Sequence, residues 1–347
     1  MKIRRLLLAL IGVTLLASCE PPTSQSIEVP ESEIPSVSDI SDTPSIVSET
    51  STTEEVTSVE ESSVEVSSEW VEPEPVLKPA ENWNFRPLPA YTGNFWNTID
   101  FTLRGEELRQ ALADYMWSKF YVPGVLDNRV TYDVAYDAIK VMDADPNKTG
   151  NVLSVYDLRS HPHAGYNYGK WNREHVFPQS KLADGDDSLK ASGNTKNISS
   201  DIANLFACDA ALNEHKSNHS YIEWNYAEDP ERWFPYLSRN TAGQLVDAIV
   251  HYGYSPTPIV RGEIARAQLY MVLMYPDRCS ISENFQIADM IRWDQEWAPT
   301  IERDGQRQKG IEQYQKIRNP FIDNRNLSCY IWGNTNRATR KLCADIY

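Results

Sequence analysis

Aromatic residues are almost missing between Glu20 and Ala80, where Ser, Thr, Glu, Val and Pro dominate. Such a stretch cannot bury enough surface to offset the entropy of ordering its chain, so a packed core is excluded there and a disordered tether is predicted. Cysteine is scarce too: five in 347 residues, with no CxxC spacing, which argues against a zinc–cysteine knuckle. The helical HExxH zinc pattern is absent. No segment recurs at a fixed period, which excludes a repeat array.

The N-terminus is informative. Lys2, Arg4 and Arg5 precede an apolar run too short to span a bilayer comfortably, so residues 1–18 read as a secretory signal peptide. The run ends Leu16-Ala17-Ser18-Cys19, which resembles a bacterial lipobox. Cys19 is therefore expected to carry a diacylglycerol and to hold the exported chain on the membrane, at its extracellular or periplasmic face. Residues 19–80 would form the lipid-anchored acidic tether. From Glu20 to Ala80 there are fifteen acidic residues and one lysine, so most of the net charge of -16 belongs to the tether. From Glu81 onward 34 acids face 29 bases, a balance too even to exclude an anionic substrate. Export would place Cys208, Cys279, Cys329 and Cys343 where disulfides form, and Cys329 with Cys343 is the expected pair.

Aromatics are frequent from Trp83 to Tyr347, which predicts one domain over 81–347. Helical periodicity runs through Leu108, Leu112, Tyr115 and Met116, then Val134, Ala138, Ile139 and Met142, and again Ile264, Leu269, Val272 and Met274. A further helix is expected from about Ile301 to Ile317, although Gly305 and Gly310 weaken it. Between these helices lie short strand-like runs at Val152–Leu158 and Trp171–Phe177, a polar loop, a second strand within Ile198–Phe206, and a helix starting at Ala210. The class is α+β.

Within that strand–loop–strand–helix stretch the sequence reads Asn172-Arg173-Glu174-His175, then Val176-Phe177-Pro178-Gln179-Ser180, Asp201-Ile202-Ala203-Asn204-Leu205 and Asn213-Glu214-His215-Lys216-Ser217-Asn218. These blocks, with Arg261 to Ala267 and Arg318 to Asp323, resemble the bacterial endonuclease I family over roughly residues 100 to 325. The resemblance implies a ββα-metal (His-Me) finger embedded in a mostly helical single domain. It implies a largely sequence-nonspecific nuclease that acts as a monomer on double- and single-stranded DNA, with RNA as a further substrate. His175 matches the family's general base, while Glu174 and Asn213 match the ligands of one hard divalent cation, Mg2+ or else Mn2+ or Ca2+. Neutral imidazole can take a proton from water near physiological pH, and a cation on two oxygen ligands keeps positions open for water and phosphate.

Four residues are candidates for support or substrate contact. The backbone near Asn204 and Leu205 is where the resemblance places the carbonyl that orients His175; as a residue, Asn204 also suits a strand-end cap. Lys216 and Asn218, beyond Asn213 on the same helix, could touch phosphate, and so could Arg173, although a structural ion pair is the commoner role for such an arginine. The family more often has arginine at the position of Lys216, and lysine lacks the planar fork. Arg261, Arg266 and Arg318 fit better as structural partners of Glu263 or Asp323, and Trp171, Trp293, Trp297 and Tyr314 as core residues than as base-stacking platforms.

Two other readings compete. His161 and His163, with His215 and His219 four apart, would suit a zinc hydrolase. A non-catalytic surface lipoprotein that binds nucleic acid or a partner on the same scaffold is the second, opposed by the joint presence of Glu174, His175 and Asn213.

Overall fold

A computed structural model describes residues 83–223, the strands Tyr236–Arg239 and Leu245–Val250, and residues 253–279 and 284–347. The leader, Cys19 and the tether lie outside them. Among the described residues no helix is long and apolar enough to cross a membrane.

Helix α1 spans Gly105–Phe120 and buries Leu108, Leu112, Ala113, Met116 and Phe120 on one stripe. Glu106 and Glu107 occupy its first turn and Lys119 its last, in the sense the helix dipole favours. Strands β1 (Tyr121–Val122) and β2 (Leu126–Asp127) form a short hairpin. Helix α2, Tyr132–Met142, starts where the Thr131 side chain accepts from the backbone N–H of Val134. Val134 itself is exposed, against the periodicity reading, and Ala135 takes the buried place.

Strands β3 (Asn151–Leu153) and β4 (Ser160–Pro162) pair antiparallel, as do β5 (Trp171–His175) and β6 (Leu205–Asp209). Helix α3 covers Gln179–Ala183, and α4, Ala210–Lys216, follows β6 directly. The Asp209 side chain caps α4 by accepting from the N–H groups of Ala211 and Leu212. The second strand thus starts later than its apolar run suggested. Residues Ile198–Ser200 and Ile202–Asn204 form single 3-10 turns instead, each held by a side chain, Asn197 and Asp201, that accepts from the N–H two residues on. A four-stranded sheet in the order β7 (Ser220–Tyr221), β10 (Gly253–Ser255), β9 (Leu245–Val250), β8 (Tyr236–Arg239) completes the strands.

Helix α5, Arg261–Met274, is buried on every side, so its charges must be paired. Arg261 meets Glu223, Glu263 meets Arg303, and Arg266 meets Asp294 and Asp304. Arg318 pairs with Asp323 and Glu312. These arginines are structural, as expected, although Glu263 is claimed by Arg303 and not by the arginines beside it. Trp171 and Trp293 are fully buried.

The region after Ile301 begins as a π turn and continues as a helix over Gln306–Gln315. Gly310 is required there because a Cβ would stand 2.2 Å from Cγ of Met142 on α2. In α5, a Cβ on Gly262 would meet the backbone carbonyl of Trp297 at 2.2 Å. Alanine normally stabilises a helix interior by roughly 1 kcal/mol over glycine, but a backbone oxygen cannot yield as a side chain can. Gly262→Ala is therefore expected to lower stability by about 1–3 kcal/mol in urea unfolding, the usual cost of overpacking. An unchanged or raised midpoint would show that the two segments can move apart freely.

Cys329 and Cys343 are joined by a disulfide, and Cys208 and Cys279 are buried free thiols.

Candidate active site

The strand β5 places its side chains on two faces. Asn172 and Glu174 turn toward α4, where they meet Asn213 and Lys216, one helical turn apart. Arg173 and His175 turn toward Tyr132 at the start of α2. Because α4 follows β6 without a loop and β6 pairs residue by residue with β5, the local chain alone brings Glu174, His175 and Asn213 together.

These three line a cleft of about 320 Å³ with Arg173, Pro178, Gln179, Ser180, Ser217 and Asn218. A larger groove of about 630 Å³, between the segment around Pro87 to Phe101 and residues 298–326, contains none of Arg173, Glu174, His175 and Asn213.

His175 Nε2 lies 2.8 Å from the carbonyl oxygen of Ser199. A carbonyl only accepts, so Nε2 carries the proton and Nδ1 is left as the basic nitrogen. The orienting carbonyl therefore belongs to Ser199, not to Asn204 or Leu205 as expected. Asn204 instead joins the two strand ends. Its Oδ1 accepts from Phe177 N at 2.6 Å, its Nδ2 donates to Phe177 O at 3.0 Å, and its carbonyl accepts from Val176 N. That clamp is fully buried. Burial pushes the His175 imidazole down to about 4, assisted by the positive charges of Arg173 and Lys216 and only partly offset by the Ser199 bond.

The Tyr132 ring stacks on His175 with centroids 5.8 Å apart, and the Arg173 guanidinium lies 3.5 Å from the centre of the same ring. Arg173 also donates from Nη1 to the backbone carbonyl of Tyr132. One aromatic ring thus sets the positions of both the imidazole and the guanidinium.

Glu174 is buried, and the Tyr156 hydroxyl donates to its Oε1 at 2.7 Å. Lys216 Nζ lies 2.9 Å from the same oxygen, an ion pair without the alignment of a hydrogen bond. Lys216 is completely buried. It cannot reach substrate phosphate, which corrects the expectation for this residue: the helix turns it inward, behind Glu174. Asn218 is exposed at the cleft, beyond Ser217, whose φ of 48° ends α4.

The donor set suits a hard cation. Glu174 supplies a carboxylate oxygen, and Asn213, whose Nδ2 donates to Asn172, has its amide oxygen to offer. Two protein oxygens beside an open cleft leave room for the several waters that Mg2+ retains. The remaining histidines do not converge. His161 Nε2 lies 3.4 Å from Asp209 without a hydrogen bond, His215 Nδ1 meets the carbonyl of Ala211, and among the described residues no three His, Cys, Asp or Glu side chains are placed to hold a metal ion.

The sequence profile of the family described as Endonuclease I matches residues 105–326, well over half of the chain and the whole of this site. The chain belongs to the endonuclease I family. Two curated relatives are named Extracellular ribonuclease. That of Bacillus subtilis (strain 168) is 28% identical over 222 residues, covering 58% of this chain and 69% of its own length. That of Bacillus amyloliquefaciens is 26% identical over 221 residues, covering 59% and 69%. Membership of the endonuclease I family makes this chain a nuclease, a hydrolase of phosphodiester bonds.

Proposed function

We propose that this member of the endonuclease I family is an exported, membrane-anchored endonuclease that cuts DNA and RNA without regard to sequence, using His175 as general base and one divalent cation on Glu174 and Asn213. The observation that carries this reading is the convergence of a carboxylate, an amide and a carbonyl-oriented imidazole on one cleft. The pair of antiparallel strands followed at once by α4 supports assigning a ββα-metal finger. Export and RNA find support in the names of the two Bacillus relatives. DNA is supported by the chemistry: water activated by a histidine needs no ribose 2′-hydroxyl.

In this mechanism Arg173, fixed on Tyr132, receives the scissile phosphate and orients it. His175 Nδ1 removes the proton of the attacking water, while Ser199 holds the ring in the tautomer that leaves Nδ1 free. Glu174 and Asn213 hold the cation, which when bound neutralises charge on the phosphate and the leaving oxygen.

The deciding experiment incubates supercoiled plasmid, and separately a structured RNA, with the purified protein in magnesium, in chelator, and in chelator with zinc restored. Nicking that needs magnesium supports the reading. Activity restored by zinc alone would favour the zinc hydrolase, and none under any condition the binding lipoprotein. For the anchor, Cys19→Ser is expected to move the protein from the membrane fraction to the medium; an unchanged membrane fraction would dispose of lipidation there.

The low His175 pKa sets a pH dependence. Only neutral imidazole serves as base, so depression from 6.5 to about 4 extends the active form downward. A cation beside it acts in the same direction. In a kcat/KM profile the acidic limb should therefore fall well below pH 6; a limb centred at 6.5 would mean that His175 is solvated. The same shift affects stability. Because the folded-state value is depressed, His175 contributes fully above pH 6.5, and its contribution is lost as pH falls from there toward 4.

A further inference from the structure

The buried ammonium behind Glu174 is foreign to a site meant to attract cations. We propose that Lys216 is a built-in counter-ion of Glu174 that weakens the site's hold on its divalent cation and keeps the carboxylate in place when the cation leaves; this rests on the assignment of Glu174 as a ligand.

Three observations support it. Lys216 has no solvent exposure, so its charge is neither screened by water nor able to swing out. Its Nζ lies 2.9 Å from Glu174 Oε1 and 4.9 Å from the centre of the Tyr221 ring, whose face favours a cation. Finally, the Tyr156 hydroxyl donates to the same Oε1 and is itself hydrogen-bonded to the Tyr221 hydroxyl. The contacts from below thus all fall on one carboxylate oxygen, and among the described residues no hydrogen bond reaches Oε2. A cation entering from the cleft meets a nearly neutral pair, with a fixed positive charge on the far side of the carboxylate, where Coulomb repulsion opposes it with little solvent between. The arrangement costs affinity and gains a preformed ligand.

Titration calorimetry of Mn2+ into the purified protein tests this without reference to turnover. Lys216→Met is expected to bind Mn2+ at least about tenfold more tightly than the parent, because the repelling charge is gone. Lys216→Gln, which keeps a polar contact with Oε1, covers the case in which the methionine variant does not fold and should shift affinity in the same direction. Lys216→Arg, retaining the charge, should stay near the parent. Unchanged or weaker binding by both neutral variants would overturn the counter-ion role and leave Lys216 as scaffolding. Glu174→Gln is the control for the underlying assignment: it should lose Mn2+ binding, and parent-like binding would overturn both the ligand assignment and the proposal built on it.

Discussion

His175→Ala is expected to lose roughly two to four powers of ten in rate, the usual worth of general acid–base catalysis, while nucleic acid still binds. The structure makes this a clean test. The imidazole hangs from the end of β5, touching the Ser199 carbonyl on one side and the Tyr132 ring on the other, and neither depends on it for its own place. Ser199 sits in a 3-10 turn capped by Asn197, and Tyr132 is held by Arg173 and by α2. Truncation therefore opens a space beside the cleft without unravelling it, and added imidazole should recover part of the lost rate. The measurement is single-turnover cleavage of plasmid at saturating magnesium. Cleavage at the parent rate by a folded variant would make His175 structural and require another base.

Glu174→Ala should be harmful twice over. It removes the charged cation ligand, and it leaves Lys216 as a buried charge without its partner. Breaking a buried ion pair in that way costs about 3–5 kcal/mol, several times the effect of a surface pair. The two effects separate in the double variant Glu174→Ala with Lys216→Met, in which both charges are gone. Its urea midpoint should return most of the way to the parent while cleavage remains abolished. If the single alanine variant unfolds at the parent midpoint, Lys216 must find water or another partner, and the tight closure around it is wrong. If the double variant regains cleavage, Glu174 is not a ligand.

The sequence revealed what depends on neighbours along the chain and concealed what depends on neighbours across it. Helices α1, α2 and α5 were legible because each buries a stripe, or its whole surface, and apolar spacing records that burial directly. Strand β5 was legible as part of a short apolar-polar run stopped by Pro178, but the adjacency of Glu174 with His175 meant little by itself, and their roles and that of Asn213 came from the resemblance of the surrounding blocks to the endonuclease I family. The start of β6 was hidden because Ile198, Ile202 and Ala203 are apolar yet belong to turns. The signal was present in Asn197 and Asp201, whose side chains offer the backbone a local partner that competes with a strand ladder. Lys216 was hidden because helical spacing gives its distance along α4 from Asn213 but not which way the helix faces. Ser199 was beyond reach for a plainer reason: it acts through its carbonyl, which every residue has. Tyr132 and Tyr156 were missed because folding alone brings them to β5.

The modest size of the cleft has a consequence for what a digest would look like. At about 320 Å³ and open to solvent, it has room for a phosphate and its attached sugars but no walled chamber into which a base could be turned and inspected. On the proposed reading each encounter then carries almost no information about the letters being cut. Breaks should fall at random along a long duplex, so that fragment lengths follow an exponential distribution whose mean shrinks with time, and the gel shows a descending smear in place of bands.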